Sequence, residues 1–313
     1  MKKLLMAAIL VVAIACGILV FQSGNAYLSH PVRQFLNFPG PQRQLAFVDL
    51  DGKVKPIRNV PASIFGPRIS PDGKQVAYRD GDAVWIVDLT RDAVPRRLTT
   101  EPGEGPIWSP DGQRIAFISI FNNREALFWR KSDGTGSAEM LVDHARAPEH
   151  WSAVNQEFSF ITLVGPSGDG GDYDIWTYSP QTKKAAPLIE LPPSAQSGSR
   201  FSPDGKWIAY ESNETGKAEI YVEPLPRTGQ RFRITKNGGS RPLWALDGSK
   251  LYFDNNSGNP TRMFSVNIRW QPSFSSSDPE PMPITGFIQP SGTYRRQFDI
   301  TPDGRQFLMV FPL

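Results

Sequence analysis

The sequence predicts an all-β chain folded as a six-bladed β-propeller of four-stranded antiparallel blades. The ring is closed by pairing the N- and C-terminal strands in one blade. Three observations predict it. The 313 residues include 27 glycines and 29 prolines, scattered singly. Few stretches are therefore long enough for helices, and short strands joined by turns remain. One turn motif recurs along the chain at spacings that mark repeat arrays. The repeat is also incomplete at each end, and the two missing halves complement each other.

The motif is Ser70-Pro71-Asp72-Gly73, repeated as Ser109-Pro110-Asp111-Gly112, Ser202-Pro203-Asp204-Gly205 and Thr301-Pro302-Asp303-Gly304. A decayed copy is Ala245-Leu246-Asp247-Gly248. Trp151-Ser152-Ala153-Val154-Asn155 keeps only the frame. The intervals between aligned Asp positions are 39, 43, 50, 43 and 56 residues. Proline presets φ, Asp bonds nearby backbone N–H groups, and Gly takes the left-handed position. The motif is thus a strand-to-strand corner and not a reaction site.

The flanks repeat as well. Three residues before each Asp position stand Ile69, Trp108, Trp151, Phe201, Trp244 and Ile300. Four residues after it come Val76, Ile115, Phe158, Ile208, Leu251 and Phe307. Two further on come Tyr78, Phe117, Phe160, Tyr210, Phe253 and Met309. The spacing of two puts the last two sets on one strand face. Third strands are expected at 83–89, 126–131, 173–178, 218–223 and 262–268, and short fourth strands centre on Leu98, Leu141, Leu188, Ile234 and Ile284. The last unit, 295–311, holds only two strands. Residues 44–49 read as a third strand and 54–58, around Ile57, as a fourth. Pairing the termini removes the unpaired edges that each half-sheet would expose.

With the unit assembled, the pattern of Ser-Pro-Asp-Gly, two residues, an apolar residue, Ala and an aromatic resembles the WD40-like repeat of the TolB-type β-propellers. Phe201-Ser202-Pro203-Asp204-Gly205-Lys206-Trp207-Ile208-Ala209-Tyr210 carries it most fully, followed by Glu211-Ser212-Asn213-Glu214 and Glu219-Ile220-Tyr221-Val222. It looks like the propeller fused behind bacterial serine/threonine kinase domains, here without a kinase. Asp303-Gly304-Arg305-Gln306-Phe307-Leu308-Met309 matches the usual end of such propellers. The resemblance covers about residues 44–313 and implies the fold. It leaves function open, since propellers serve many roles. The separate N-terminal α/β domain of the TolB protein is not part of the pattern.

Residues 1–26 read as a targeting segment. Lys2 and Lys3 precede an apolar run, Leu4 to Phe21. Three readings compete: a signal peptide cleaved near Gly24-Asn25-Ala26, an uncleaved anchor, and a weak lipoprotein box ending at Cys16. All place the rest outside the cytoplasm, periplasmic or secreted, with membrane contact only through residues 4–21. Residues 27–43 are a linker and 44–313 the propeller. The net charge of +3 includes both N-terminal lysines, which leaves 32 bases against 31 acids. No basic patch for nucleic acid survives. Cys16 is the only cysteine, so the exported domain has no disulfide and needs its own core.

The chemistry-bearing patterns are few. Gly165-Pro166-Ser167-Gly168-Asp169 falls one residue short of a nucleophile elbow. Thr215-Gly216-Lys217-Ala218 lacks the glycine and the hydroxyl of a phosphate loop. His144 and His150, with Asp143 and Glu149, raise a metal site of two histidines and a carboxylate. The reading preferred for them is solvated loop residues leading into the third blade. Asp169, Asp172 and Asp174 in a Gly-rich hairpin could hold Ca²⁺, and a solvated hairpin tip is preferred. Asp49 and Asp51 read as a turn. Most aromatics fall on core positions. Trp129, Trp176 and Trp270 are less tied to the pattern. The irregular stretch 269–281, with Trp270, Phe274 and Ser275–Ser277, is an insertion in the fifth blade and a candidate partner-binding edge.

No residue is assigned a catalytic, cofactor-binding or metal-ligating role, no cofactor is expected, and the binding residues are unknown. The function expected is an exported, non-enzymatic scaffold that binds a cell-envelope protein or peptide, as a monomeric propeller. The alternative is a propeller enzyme, a metal-dependent lyase or hydrolase acting on extracellular polysaccharide at the channel mouth.

Overall fold

The computed structural model describes residues 42–163, 173–255, 258, 260–289 and 295–313. The targeting segment lies outside the described residues, and so do Asp169 and Asp172. Among the described residues every regular element is a strand, and none forms a helix long and apolar enough to cross a membrane.

The strands form six antiparallel sheets, one per repeat. Blade 1 runs Phe65–Ile69, Gln75–Asp80, Ala83–Asp88 and Arg96–Arg97. Blades 2 to 5 repeat this order, with first strands Glu104–Trp108, Ala145–Trp151, Gln196–Phe201 and Ser240–Trp244. Blade 6 takes Phe298–Ile300 and Gln306–Pro312 from the C-terminus, and Arg43–Asp49 and Val54–Pro56 from the N-terminus. The closing ladder runs over seven pairs, from Arg43 opposite Pro312 to Asp49 opposite Gln306. This is the closure expected from the two half-built ends.

The corners behave as the turn chemistry requires. Gly73, Gly112, Gly205, Gly248 and Gly304 all have φ near +70°. In the first corner the Ser70 hydroxyl donates to Asp72 Oδ1 at 2.6 Å, and Lys74 N–H donates to the same oxygen at 3.0 Å. Those bonds hold the Asp72 carboxyl below the usual carboxylate range. The blade 3 corner keeps the frame, with Ser152 N–H bonded to Glu157 O at 2.8 Å. Its left-handed residue is Gln156, at φ 56°, one place later than in the glycine corners.

The core is not one cluster but six, one at each seam between blades. At the seam of blades 1 and 2, Ile115 and Phe117 pack on Ala77, Val84 and Ile86. At the seam of blades 4 and 5, Leu251 and Phe253 pack on Ala209, Ile220 and Val222. At these two seams, and where Phe158 and Phe160 meet Ala116, the large apolar pair read from the repeat fills the space over an alanine of the preceding blade, while Phe307 and Met309 pack instead on Leu243, Tyr252 and Met263. All twelve residues of those pairs are at most 2% exposed. Burial of this kind contributes about 1.5–3 kcal/mol per large side chain, and it rigidifies the ring because every blade is wedged from both sides.

Two expectations need correction. Residues 145–151 are not a loop but the first strand of blade 3, so Glu149 and His150 are fixed by a sheet. The stretch 269–281 is not wholly irregular either. Ser275–Ser276 and Glu280–Thr285 both pair with Arg262–Arg269 and extend the outer edge of blade 5.

Candidate functional site at the channel wall

The first strands of neighbouring blades touch one another around the ring, while the fourth strands lie at its rim. The channel wall is therefore built from first strands. Four of them carry a bulge at the same place, between Phe65 and Arg68, Glu104 and Ile107, Ser197 and Arg200, and Ser240 and Leu243. The bulged residues Gly66, Gly105, Gly198 and Arg241 all have positive φ, between 56° and 69°. A bulge turns a backbone N–H out of the ladder, and at Gly66, Gly198 and Arg241 the neighbouring blade supplies an acceptor for it.

Those acceptors latch the blades together. Gly66 N–H donates to Gln297 Oε1 at 2.9 Å, across the closing seam. Gly198 and Ser199 N–H donate to Glu149 Oε1 and Oε2 at 2.5 and 2.8 Å, and the Ser199 hydroxyl bonds Glu149 too. Arg241 N–H donates to Glu211 Oε2 at 3.1 Å. One layer along the strands, Ile69 N–H donates to Asp299 Oδ2 and Phe201 N–H to His150 Nδ1, both at 3.0 Å. Trp108 Nε1 donates to Arg68 O and Trp244 Nε1 to Arg200 O, again both at 3.0 Å.

These pairs reveal an order that the repeat alone hides. Blade 1 matches blade 4 (Gly66 with Gly198, Arg68 with Arg200), and blade 2 matches blade 5 (Pro106 with Pro242, Trp108 with Trp244). Blade 3 matches blade 6, since Glu149 and His150 do for blade 4 what Gln297 and Asp299 do for blade 1. The channel wall has an approximate two-fold repeat within a six-fold ring.

Burial sets the electrostatics. Desolvation pushes the Glu149 carboxyl up to about 7, against three hydrogen bonds that pull it down. Desolvation, helped by the Arg296 charge, pushes His150 down to about 3. His150 is therefore neutral, and its Nδ1 accepts from Phe201. Arg296, 4% exposed, donates from Nη2 to Asp299 Oδ1 at 3.1 Å and from Nε to Phe298 O at 2.7 Å. At the start of the first strands, Glu104 joins Arg79 at 3.3 Å and Arg295 of blade 6.

The residues singled out in the sequence fall as follows. His144 is exposed, bonded to Arg124 at 3.0 Å, and sits just before the strand whose other end holds His150. The two histidines do not converge. Among the described residues no three His, Cys, Asp or Glu side chains gather as a metal site would need. Asp174 is buried on a blade 3 strand. Asp49 and Asp51 hold a turn, with Gly52 N–H bonded to Asp49 O and Lys53 N–H to Asp51 Oδ1. Trp129 stacks on Trp151 with centroids 5.9 Å apart, and Trp176 packs against the same seam. Trp270 and Phe274 fold back onto Trp207, each with its centroid 5.1 Å from it. Beside them lies a recess of about 480 Å³ lined by Ser249, Asn267, Arg269 and Ser275–Ser277. The channel residues Arg68, Glu149, Arg241, Arg296 and Gln297 were not read as a group in the sequence. Their one linear signal is the Gly or Pro inside five of the six first strands, as in Gly66-Pro67, Gly105-Pro106 and Arg241-Pro242, which marks a bulge.

With the fold and channel described, the chain can be set beside known proteins. No protein-family model matches it. It is 26% identical over 155 residues to YuxL, an uncharacterised peptidase of Bacillus subtilis (strain 168), covering 48% of this chain and 22% of the peptidase. It is 23% identical over 209 residues to Atu1656, an uncharacterised protein of Agrobacterium fabrum (strain C58), covering 64% and 69%. The chain thus spans about a fifth of the length of the first of these relatives. Among solved structures, a protein of Agrobacterium tumefaciens described as a TolB superposes with a TM-score of 0.67 at 18% identity, over 88% of this chain and 99% of that one. TolB of Acinetobacter baumannii superposes at 0.53 and 18% identity, over 90% and 67%. An oligogalacturonate lyase in complex with manganese superposes at 0.58 and 15% identity, over 85% and 82%. The fold is that of the TolB-type six-bladed propellers, and it is shared by proteins of unlike activity.

Proposed function

We propose that the chain is an exported, non-enzymatic binding module of the cell envelope that holds a protein or peptide at a channel mouth. The observation that carries this reading is the commitment of the channel's acid–base groups. Both Glu149 oxygens accept from blade 4, His150 Nδ1 accepts from Phe201, and both Asp299 oxygens are taken by Ile69 and Arg296. Groups spent on latching blades build a rigid platform, and a rigid platform with loops at its ends is what recognition of a partner needs. The apolar segment 4–21 supports export, as a cleaved signal or as an anchor. The metal-dependent lyase that would join His144 and His150 loses its ligand pair, because the strand between them holds the two apart.

The test is affinity capture of the tagged full-length chain from its own cell envelope after mild crosslinking. Mass spectrometry would identify the captured protein and the mature N-terminus. A reproducible envelope partner is the expected result. A well-folded protein that captures none, and turns over an acidic glycan instead, overturns the reading.

A further inference from the structure

The seam between blades 6 and 1 carries more positive charge than its own acids answer. Arg68 is placed by its bulged strand so that Nη1 donates to Pro67 O at 2.7 Å and to Arg296 O at 3.0 Å. That bond holds one guanidinium against the backbone of a residue bearing another. Asp299 is the carboxylate at hand, and both its oxygens are already engaged, by Arg296 Nη2 and by Ile69 N–H. Among the described residues no carboxylate lies within ion-pair distance of Arg68. Among the described residues its Nε is buried without a partner, and so is Nε2 of Gln297, a fully buried side chain whose Oε1 is held by Gly66 N–H. Orphaned buried donors of this kind are costly unless something accepts from them. Burial first, and the Arg296 charge next, push the Arg68 guanidinium down to about 9.

We infer that this seam of the channel is an oxyanion site, in which Arg68 and the Gln297 amide bind a carboxylate group with Arg296 adding its field. Guanidinium donors in a fixed fork match a carboxylate bidentately. The inference rests on the proposed binding role and sharpens it: the partner segment presents an Asp, a Glu or a C-terminal carboxylate to the channel. Phosphate shares the chemistry, and the test separates the two.

The full-length chain in mild detergent is titrated, at constant ionic strength, with a blocked tetraglutamate peptide and separately with inorganic phosphate. Melting temperature and tryptophan fluorescence are read. Arg68→Met and Arg68→Lys are compared with the surface control Arg305→Gln. The expected result is a saturable rise in melting temperature for the wild type and the control, with affinity at least tenfold weaker in Arg68→Met. Should Arg68→Met fail to fold, Arg68→Lys must still weaken binding several-fold. A peptide much tighter than phosphate identifies an acidic segment as the ligand, while equal affinities identify a small-anion site. An undiminished response in the Arg68 variants, or no response in the wild type, overturns the proposal. The envelope capture is independent: loss of the anion response with undiminished capture leaves the binding role on another surface, and capture failure with an intact anion response leaves this site standing.

Discussion

At the scale of the residue, small geometric demands recur where blades meet. Gly205 has φ +70° and lies against blade 3, where an added Cβ would stand 2.1 Å from Asn155 Oδ1 and 2.9 Å from Val154. Asn155 also donates to Gly205 O at 3.2 Å. Gly205→Ala is expected to destabilise the fold by more than about 1 kcal/mol, through strain and the clash together. Gly66→Ala has open space for its Cβ and should show the strain alone. Chemical denaturation of both variants measures the difference. His150 and Glu149 titrate in opposite senses. A buried histidine moved from 6.5 down to about 3 leaves the unfolded chain binding the proton first, so stability falls as pH drops below about 6.5. Glu149, moved from 4.5 up to about 7, lets the folded chain keep its proton longer, so stability falls as pH rises from about 4.5 to 7. The two offset each other between these limits. His150→Asn keeps an acceptor near the Nδ1 position and removes the titration. Denaturation midpoints from pH 4 to 8 should then fall continuously as pH rises through 4.5–7, and a residual rise in that window would contradict the assignment.

At the scale of the element, the inner bulge and the corner act as a pair. The corner sets where each first strand ends, and the bulge sets which backbone N–H reaches the next blade. The indole of Trp244 bridges to Arg200 O, as that of Trp108 bridges to Arg68 O. Trp244→Phe should therefore cost about 1 kcal/mol beyond its lost contact area, from a carbonyl left without its donor. Trp108→Phe should cost a similar amount, and thermal melts of the two variants test the two-fold order of the channel. The corner at Trp151 was legible in its spacing, though not in its hydrogen bonding. Without a glycine, blade 3 moves the left-handed residue to Gln156, a choice made by local strain that spacing does not record. The strand 145–151 was missed for a related reason. Pro148 and the charged pair Glu149-His150 disguise it, because their partners sit on blade 4, some fifty residues later.

At the scale of the whole molecule, stability depends on closing the ring. The strand Gln306–Pro312 lies between Phe298–Ile300 and Arg43–Asp49, so its hydrogen-bonded ladder is what joins the C-terminal half of blade 6 to the N-terminal half. A chain ending at Arg305 would expose a strand edge on each side of the gap. Such edges pair with other chains. The expected outcome is loss of cooperative melting and concentration-dependent association, read by circular dichroism and size-exclusion chromatography. A monomeric, cooperatively melting truncation would show that five blades suffice.

The sequence by itself determined the blade count, the corners, the large apolar pairs of each seam and the closure of the ring. These follow from short-range rules, a turn motif and a period of two, repeated until they could not be accidental. The tertiary structure alone decided which polar groups meet in the channel. Gln297 reaches Gly66 and Asp299 reaches Ile69 across about 230 positions, and Glu149 reaches Gly198 across the blade period. No local pattern encodes such meetings, because they are made where one blade packs on the next, and those of blades 6 and 1 only once the two ends of the chain share a blade. The charge that Arg68 carries into that seam becomes a property of the protein only once the ring is shut.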